Sequence, residues 1–586
     1  MASRIAFTIA TAALLLLELS PQVAAHSDEH IDMSASRPQP KDHDQPGSYW
    51  GFSEHVTLMY LHIALEILAW VVVLPVAVML SIARSHYVLP SQLVFLSINA
   101  FALVLGLIYN QKTPDLYENN SHGKTGWIIT WIASAWVFMA FVQKYIGRSQ
   151  FQSSHESTEP QITFANIARY QRVHDELPDK SRYSNDSGQG SERNSTSLFG
   201  HSRSPSVESE EQQFINPARR YTQDEDDSFD HASEKRAFLS KTPSENFFLR
   251  HVARFGVGRT LQIIRLFYVV FERTLLIQGF VAIANGTVVY GGIGRGDAVF
   301  NVLAHYVKGG IFFLYGFLTL GRWMGAFADF GWAWNVKLPK AVVGRRKAAL
   351  PSAEFTESFV IWLYGVTNVF LEHLAAWGDA WTAQDLEHVS ISVLFFGGGL
   401  LGMLIESAKV RDLLNNGVVS SRALSNLHDE SWQQPRQYRF SMNPLPALVI
   451  LLLGKMMSSH HQASMLSTMI HSQWGGMFVG FALARGLTYI TLYISPPTSF
   501  LPSRPPTEII TSFCLIAGGI TFMLSNKDTV AVLEEYNLDA MFTFTVTMGL
   551  TALLMAWATC VIAIKGWASR NKGREQGAKN HGEVLA

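Results

Sequence analysis

Apolar residues run along this chain in long blocks rather than in alternating or one-sided stripes. Eleven blocks lie near 57–82, 93–109, 126–146, 267–291, 300–322, 355–376, 388–407, 445–459, 472–494, 508–525 and 541–565. Most approach 20 residues and carry few charges. A helix satisfies its own backbone hydrogen bonds, so each block predicts a membrane-spanning helix. The expected fold is all-α: a polytopic transmembrane helical bundle of about eleven helices, three followed by eight.

Polar stretches divide the blocks. Residues 1–25 read as a signal peptide, with Arg4 before an apolar stretch from Ala6 to Leu19 and small residues Val23, Ala24 and Ala25 before His26. The rival reading is a first membrane anchor, but this apolar core is short and Pro21 follows it. Residues 26–54 then form a luminal arm bearing His26, His30 and His43, and residues 55–147 an N-terminal three-helix block. Residues 148–249 are rich in Ser, Glu, Asp and Arg and include the acidic run Asp224 to Asp227, which predicts a disordered cytosolic linker. Its Ser-Pro and acidic-Ser sites suit phosphorylation and the recruitment of cytosolic proteins. Residues 250–566 form the eight-helix block, and 567–586 a cytosolic tail.

Charge placement supports this count. With the mature N-terminus in the lumen, the predicted cytosolic loops outside the long linker hold 17 Lys and Arg and the luminal loops hold 4. One helix more or fewer would scramble that asymmetry. The sequon at Asn119 falls on the luminal side, where it is a glycosylation acceptor, whereas Asn185 and Asn194 fall in the linker. The expected location is a multi-pass membrane protein of the secretory pathway, in the endoplasmic reticulum, vacuole or plasma membrane.

Composition adds exclusions. The chain has 586 residues, 16% of them charged, and a net charge of -1. It offers no basic surface for nucleic acid, and the partner implied is the lipid bilayer. Cys514 and Cys560 are its two cysteines, too few for a disulfide framework or a Cys-rich zinc site. No Walker motif, GxSxG or HExxH is present.

The same topology gathers histidines on the luminal face. His55, His62 and Glu66 share one helical stripe, and His122 precedes the third helix. His305 sits near the luminal end of the fifth, and Glu372 and His373 end the sixth. Asp385 and His388 open the seventh, while His460, His461 and His471 flank the loop between the eighth and ninth. Ionisable groups at membrane depth are costly and tend to mark sites. Imidazole ligates haem iron, copper or zinc, and the methionines around His460 and His461 add soft ligands suited to copper. The candidate metal ligands are therefore His305, His373, Asp385, His388, His461 and His471. The plain alternative for each is an interfacial histidine bonded to backbone or water.

Several motifs resemble the fungal Ytp-type integral membrane proteins: Leu303 to Gly310 (LAHYVKGG), Phe330 to Asn335 (FGWAWN), Asp385 to His388 (DLEH) with Gly397–Gly402 and Glu406, and His471 with Trp474-Gly475-Gly476. That family has been likened to electron-transport membrane proteins. The N-terminal block is similar to half of the transmembrane cytochrome b ferric-reductase type, in which alternate helices supply two histidines to each of two haems. The resemblance makes His55 and His122 the axial pair of one haem b near the lumen. It departs from the pattern at His86, which falls in a loop, and in lacking a histidine-bearing fourth helix after Gly147. Three functions stand open: electron transfer at a luminal haem or metal site, a non-catalytic membrane organiser acting through the linker, and metal binding or transport.

Overall fold

The computed structural model describes residues 47–150, 258–368, 381–416, 437, 440–459 and 462–584. The signal peptide, nearly all of the luminal arm and most of the linker lie outside them. Every predicted apolar block contains a helix: α1 Val56–Ile82, α2 Val88–Lys112, α3 His122–Gln150, α4 Gly258–Gly291, α5 Ala298–Met324, α6 Ala353–Asn368, α7 Ala383–Glu406, α8 Leu445–Ser458, α9 Met465–Ile494, α10 Thr507–Leu524 and α11 Ala540–Val584. Among the described residues nine of these are long and apolar enough to cross a bilayer. The others, α6 and α8, have 16 and 14 described residues, short of the roughly 20 that a span needs. No strand occurs among the described residues, so the protein is an all-α polytopic bundle.

Local chemistry explains the one irregular span. Pro75 has no N–H to give the Val71 carbonyl four residues back. The helix widens into a π turn over Leu68–Val73, and the Trp557 indole of α11 donates to the Val71 carbonyl at 2.8 Å. A polar group freed inside the membrane is thereby satisfied by a neighbouring helix.

Two cores result. Trp70, Leu74, Phe95, Trp136 and Leu275 pack together, so α4 stands with α1, α2 and α3 as a fourth helix. Phe312, Val449, Trp474, Phe478 and Leu515 form the other, among α5 and α8–α10, with Ile361 of α6 and Phe395 of α7. The second core closes on glycines. A Cβ at Gly309 would stand 2.6 Å from the Gly519 carbonyl oxygen, and one at Gly399 would stand 2.4 Å from the Trp362 backbone nitrogen. Small residues at these positions let helices approach backbone to backbone. Gly397, two residues away on α7, has nothing within 4 Å of its Cβ position. Gly399→Val is therefore expected to destabilise by about 1–3 kcal/mol or more through overpacking, while Gly397→Ala is silent. Thermal melting monitored by size-exclusion elution checks both.

The predicted luminal loops meet at one end of the bundle. The Tyr117 hydroxyl donates to the Ile293 carbonyl at 2.7 Å, Arg295 donates to the Leu116 carbonyl at 2.6 Å, and the Gly294 amide donates to Asp528 at 2.7 Å. At the opposite end the Phe330–Asn335 motif folds under the bundle, where Asn335 donates to the Ala328 and Phe500 carbonyls, each at 2.9 Å.

Candidate functional site

Among the polar clusters built into the described helices, three bear on function. The first is a histidine pair in the N-terminal half. His62 lies on α1, and its Nδ1 is 2.9 Å from the Ala102 carbonyl oxygen of α2. A carbonyl only accepts, so Nδ1 carries the proton and Nε2 carries the lone pair. Gly106 seats this ring, since a Cβ there would stand 3.0 Å from it. His122 opens α3, with its backbone N–H on Asn120 Oδ1 at 3.1 Å and its ring beside Gly286 of α4. Asn285 ties α4 to this helix start by donating to Ser121 at 3.0 Å. The two rings stand 6.4 Å apart at 84°.

The second pair repeats that arrangement in the C-terminal half. His305 of α5 holds the Asn301 carbonyl through Nδ1 at 2.8 Å, and His471 of α9 holds the Ser467 carbonyl through Nδ1 at 2.8 Å. Their rings are 6.2 Å apart at 86°. Phe522 stands 5.6 Å from His305, Trp474 stands 5.6 Å from His471, and those two aromatics stack at 4.2 Å. Lys308 and His388 lie within electrostatic range of His305.

The third constellation is a buried ion network at the opposite end. Arg322 donates to Glu354 at 2.7 Å, to Glu357 at 2.6 Å and to the Trp332 carbonyl at 2.7 Å. Arg485 reaches Glu357 at 3.3 Å and Glu508 at 2.8 Å. Both guanidiniums lie over Trp334, at 4.3 and 5.8 Å. The network joins α5, α6, α9 and α10 and has almost no access to solvent.

The sequence-predicted residues fall unevenly on this frame. His122, His305 and His471 each belong to a pair. His55 does not face His122. It is the exposed residue before α1, about 10 Å along the axis from His62, and His62 takes the place across from His122. Asp385 accepts from the Thr382 amide at 2.9 Å and from its hydroxyl at 2.7 Å, as half of a capping box at the start of α7. His388 lines a cavity beside Lys308. His373 and His461 lie outside the described residues. Among the described residues no three His, Cys, Asp or Glu side chains converge as a metal site. Asn119 is exposed in the loop before α3, at the histidine end. A groove of about 1440 Å³ opens there between α4 and α5 and is lined by neither histidine pair.

Reading the sequence missed Arg322, Glu354 and Glu508. Glu354 and Glu357 are three residues apart and so share a helix face. That spacing, in an otherwise apolar segment, was the available signal.

Comparison with known proteins divides the chain along the same line as the two pairs. A family model described as "Protein YTP1-like, C-terminal" matches residues 278–566. A second, "Domain of unknown function (DUF2427)", matches residues 43–146. His305 and His471 fall in the first region, and His62 and His122 in the second. An uncharacterized membrane protein of Schizosaccharomyces pombe is 32% identical over 524 residues, covering 88% of this chain and 96% of its own length. An uncharacterized membrane protein of Saccharomyces cerevisiae is 40% identical over 303 residues, 50% of this chain and 47% of its own length. Protein YTP1 of Saccharomyces cerevisiae is 23% identical over 255 residues, 43% of this chain and 44% of its own length. No solved structure matches the chain.

Proposed function

The chain belongs to the family of multi-pass membrane proteins with a YTP1-like C-terminal region, and from that premise we propose that it holds a redox-active metal group at histidine pairs near one membrane face, haem b being the group at His62 and His122. The observation that carries this reading is the spacing of the rings. One metal ion shared by two imidazoles would set their ring centres up to roughly 6.3 Å apart, from about 2.0 Å per metal–nitrogen bond and about 1.15 Å from each nitrogen to its ring centre. His62 and His122 stand at 6.4 Å. The carbonyl at Ala102 fixes the tautomer that leaves Nε2 to ligate. That spacing would let His62 and His122 hold one metal group between them. Haem b, when bound by two imidazoles, supplies one-electron exchange. The protein's own part is to hold both rings rigidly: Gly106 fixes the position of one, and the Asn285 contacts to Ser121 and Thr125 fix the helix that carries the other.

His305 and His471, at 6.2 Å, would hold a metal ion by the same spacing, with the Phe522 and Trp474 rings packed against them. A bare transition-metal ion such as copper suits such a pair. This supports a second reading, in which the C-terminal half binds a metal ion as its cargo. Both pairs lie at the same end of the bundle, so the arrangement favours exchange along one face over transfer across the membrane.

The visible spectrum and metal content of the purified protein test the proposal. A Soret band with one iron per chain is expected. A colourless, iron-free preparation from haem-replete cells sinks the haem reading, and copper without haem supports the second.

A further inference from the structure

We propose that the end of the bundle opposite the histidine pairs binds an anionic phospholipid, its head set among Arg273 of α4, Lys347 of the short helix Lys340–Ala348 between α5 and α6, and Lys565 of α11. This site goes beyond the histidine-pair reading and does not rest on it. Lys565 is half-buried and makes neither a hydrogen bond nor an ion pair with any described residue. Arg273 and Lys347 lie within electrostatic range of it, as do the carboxylates of Glu272 and Asp329. Arg84, just after α1, adds a fourth cation within range of Glu272. Both carboxylates are already engaged. Glu272 is 5% exposed and accepts from Ser81, and Asp329 accepts from Lys347 at 2.9 Å. Arg273 comes no closer to Glu272 than 3.9 Å, and its side chain is 60% exposed. Four cations therefore face two carboxylates. Like charges around a half-buried ammonium are costly, and an anion placed among them offsets that cost.

Depth in the membrane makes the anion a lipid. Ser81, which holds Glu272, is one residue from the end of α1 at Ile82. The cluster thus sits where that span leaves the bilayer. Tyr87 and Trp567, both exposed, stack at 5.9 Å and 21° beside it, two residues from Lys565, as aromatic side chains do at a membrane interface. On α4, Ile277 and Val281 follow Arg273 at i+4 and i+8 and share its face. Both are exposed, and both line the groove between α4 and α5. A phosphate at Arg273 therefore leaves its acyl chain an apolar track to follow, which a free phosphate would not use. The distribution of Lys and Arg predicts that this end faces the cytosol. Anionic lipids of that leaflet attract basic segments beside a span. The short helix extends the basic surface outward with exposed Lys340, Arg345 and Arg346, and no Asp or Glu occurs in the sequence between Asp329 and Glu354. Guanidinium and ammonium groups both form charge-assisted bonds to phosphate oxygens.

Native mass spectrometry of the full-length protein in detergent tests the site, with phosphatidylserine and phosphatidylcholine of the same acyl chains supplied in equal amounts. One phosphatidylserine per chain is expected to be retained, with a preference of roughly tenfold or more over phosphatidylcholine. Arg273→Gln with Lys565→Gln is expected to abolish the preference. Lys455→Gln, at an exposed cation near the histidine end, is expected to leave it intact. Because Lys565 is half-buried, Arg273→Gln alone is the second variant. It is expected to weaken binding about fivefold, the effect of one charge at a membrane surface, with an unchanged elution profile. Equal retention of the two lipids, competition by inorganic phosphate as strong as by the lipid, or a preference untouched by both variants overturns the proposal. A preference that emerges only when the acidic run Asp224 to Asp227 is neutralised also overturns it and gives the surface to the linker. A colourless protein that still retains phosphatidylserine would retire only the haem reading.

Discussion

Arg322→Leu is expected to remove most of the folded protein from the membrane. The side chain is 1% exposed and divides its donors among Glu354, Glu357 and the Trp332 carbonyl. Its loss leaves three buried carboxyls, Glu354, Glu357 and Glu508, facing Arg485 alone. Removing one partner of a buried ion pair typically costs about 3–5 kcal/mol, because the charge left behind has neither partner nor water. Total stability is of order 5–15 kcal/mol, so one change of this size consumes a large share. Arg322→Lys keeps the charge but not the planar fork, and it is expected to fall between wild type and Arg322→Leu. The decisive comparison is the pair Arg322→Leu with Glu354→Gln. If the penalty is an unpaired charge, removing one carboxylate restores part of the monodisperse peak in size-exclusion chromatography. If Arg322 matters only for packing over Trp334, the second substitution adds to the damage. A double-mutant cycle on melting temperature separates the two, since residues in one network couple and distant ones add.

What the sequence made legible and what it hid have different physical origins. Apolar blocks of 20 residues commit the backbone to helix wherever the chain goes, so all eleven helices were visible along with the end at which most histidines lie. Partners were not, because they depend on which helix faces which. His55 and His62 share one stripe of α1, and periodicity alone cannot choose between them. The choice falls to His62 because α2 presents the Ala102 carbonyl and the notch at Gly106 at that level. Asp385 stands out beside His388 in the sequence, and in the fold its carboxylate also closes a capping box with Thr382. Glu357 and Arg485 are charges set within apolar segments. Their joining through Arg322 and Glu508 needed the α5–α10 and α9–α10 packing that close glycine contacts permit.

The choice of His62 over His55 is also the sharpest test of the proposed metal group. His62→Ala and His122→Ala are each expected to abolish the haem absorbance, while His55→Ala leaves it unchanged. The sequence resemblance points the other way on His55, so the two expectations are opposed and one measurement decides between them. The loss is not expected to follow from unfolding. His62 makes one side chain to backbone hydrogen bond, worth about 1 kcal/mol, and His122 is held in place largely through its backbone and the Asn285 contacts. Melting temperature and elution profile should therefore shift little in all three variants. Chemical rescue adds a control that a merely structural role would not pass. In His122→Gly, added imidazole is expected to restore the low-spin spectrum, because the missing ligand is supplied without the missing backbone. Gly106→Val, whose Cβ would press on the His62 ring at 3.0 Å, is expected to shift that spectrum while both histidines remain. An unchanged spectrum in His62→Ala, or its loss in His55→Ala alone, would return the axial role to the exposed residue ahead of α1.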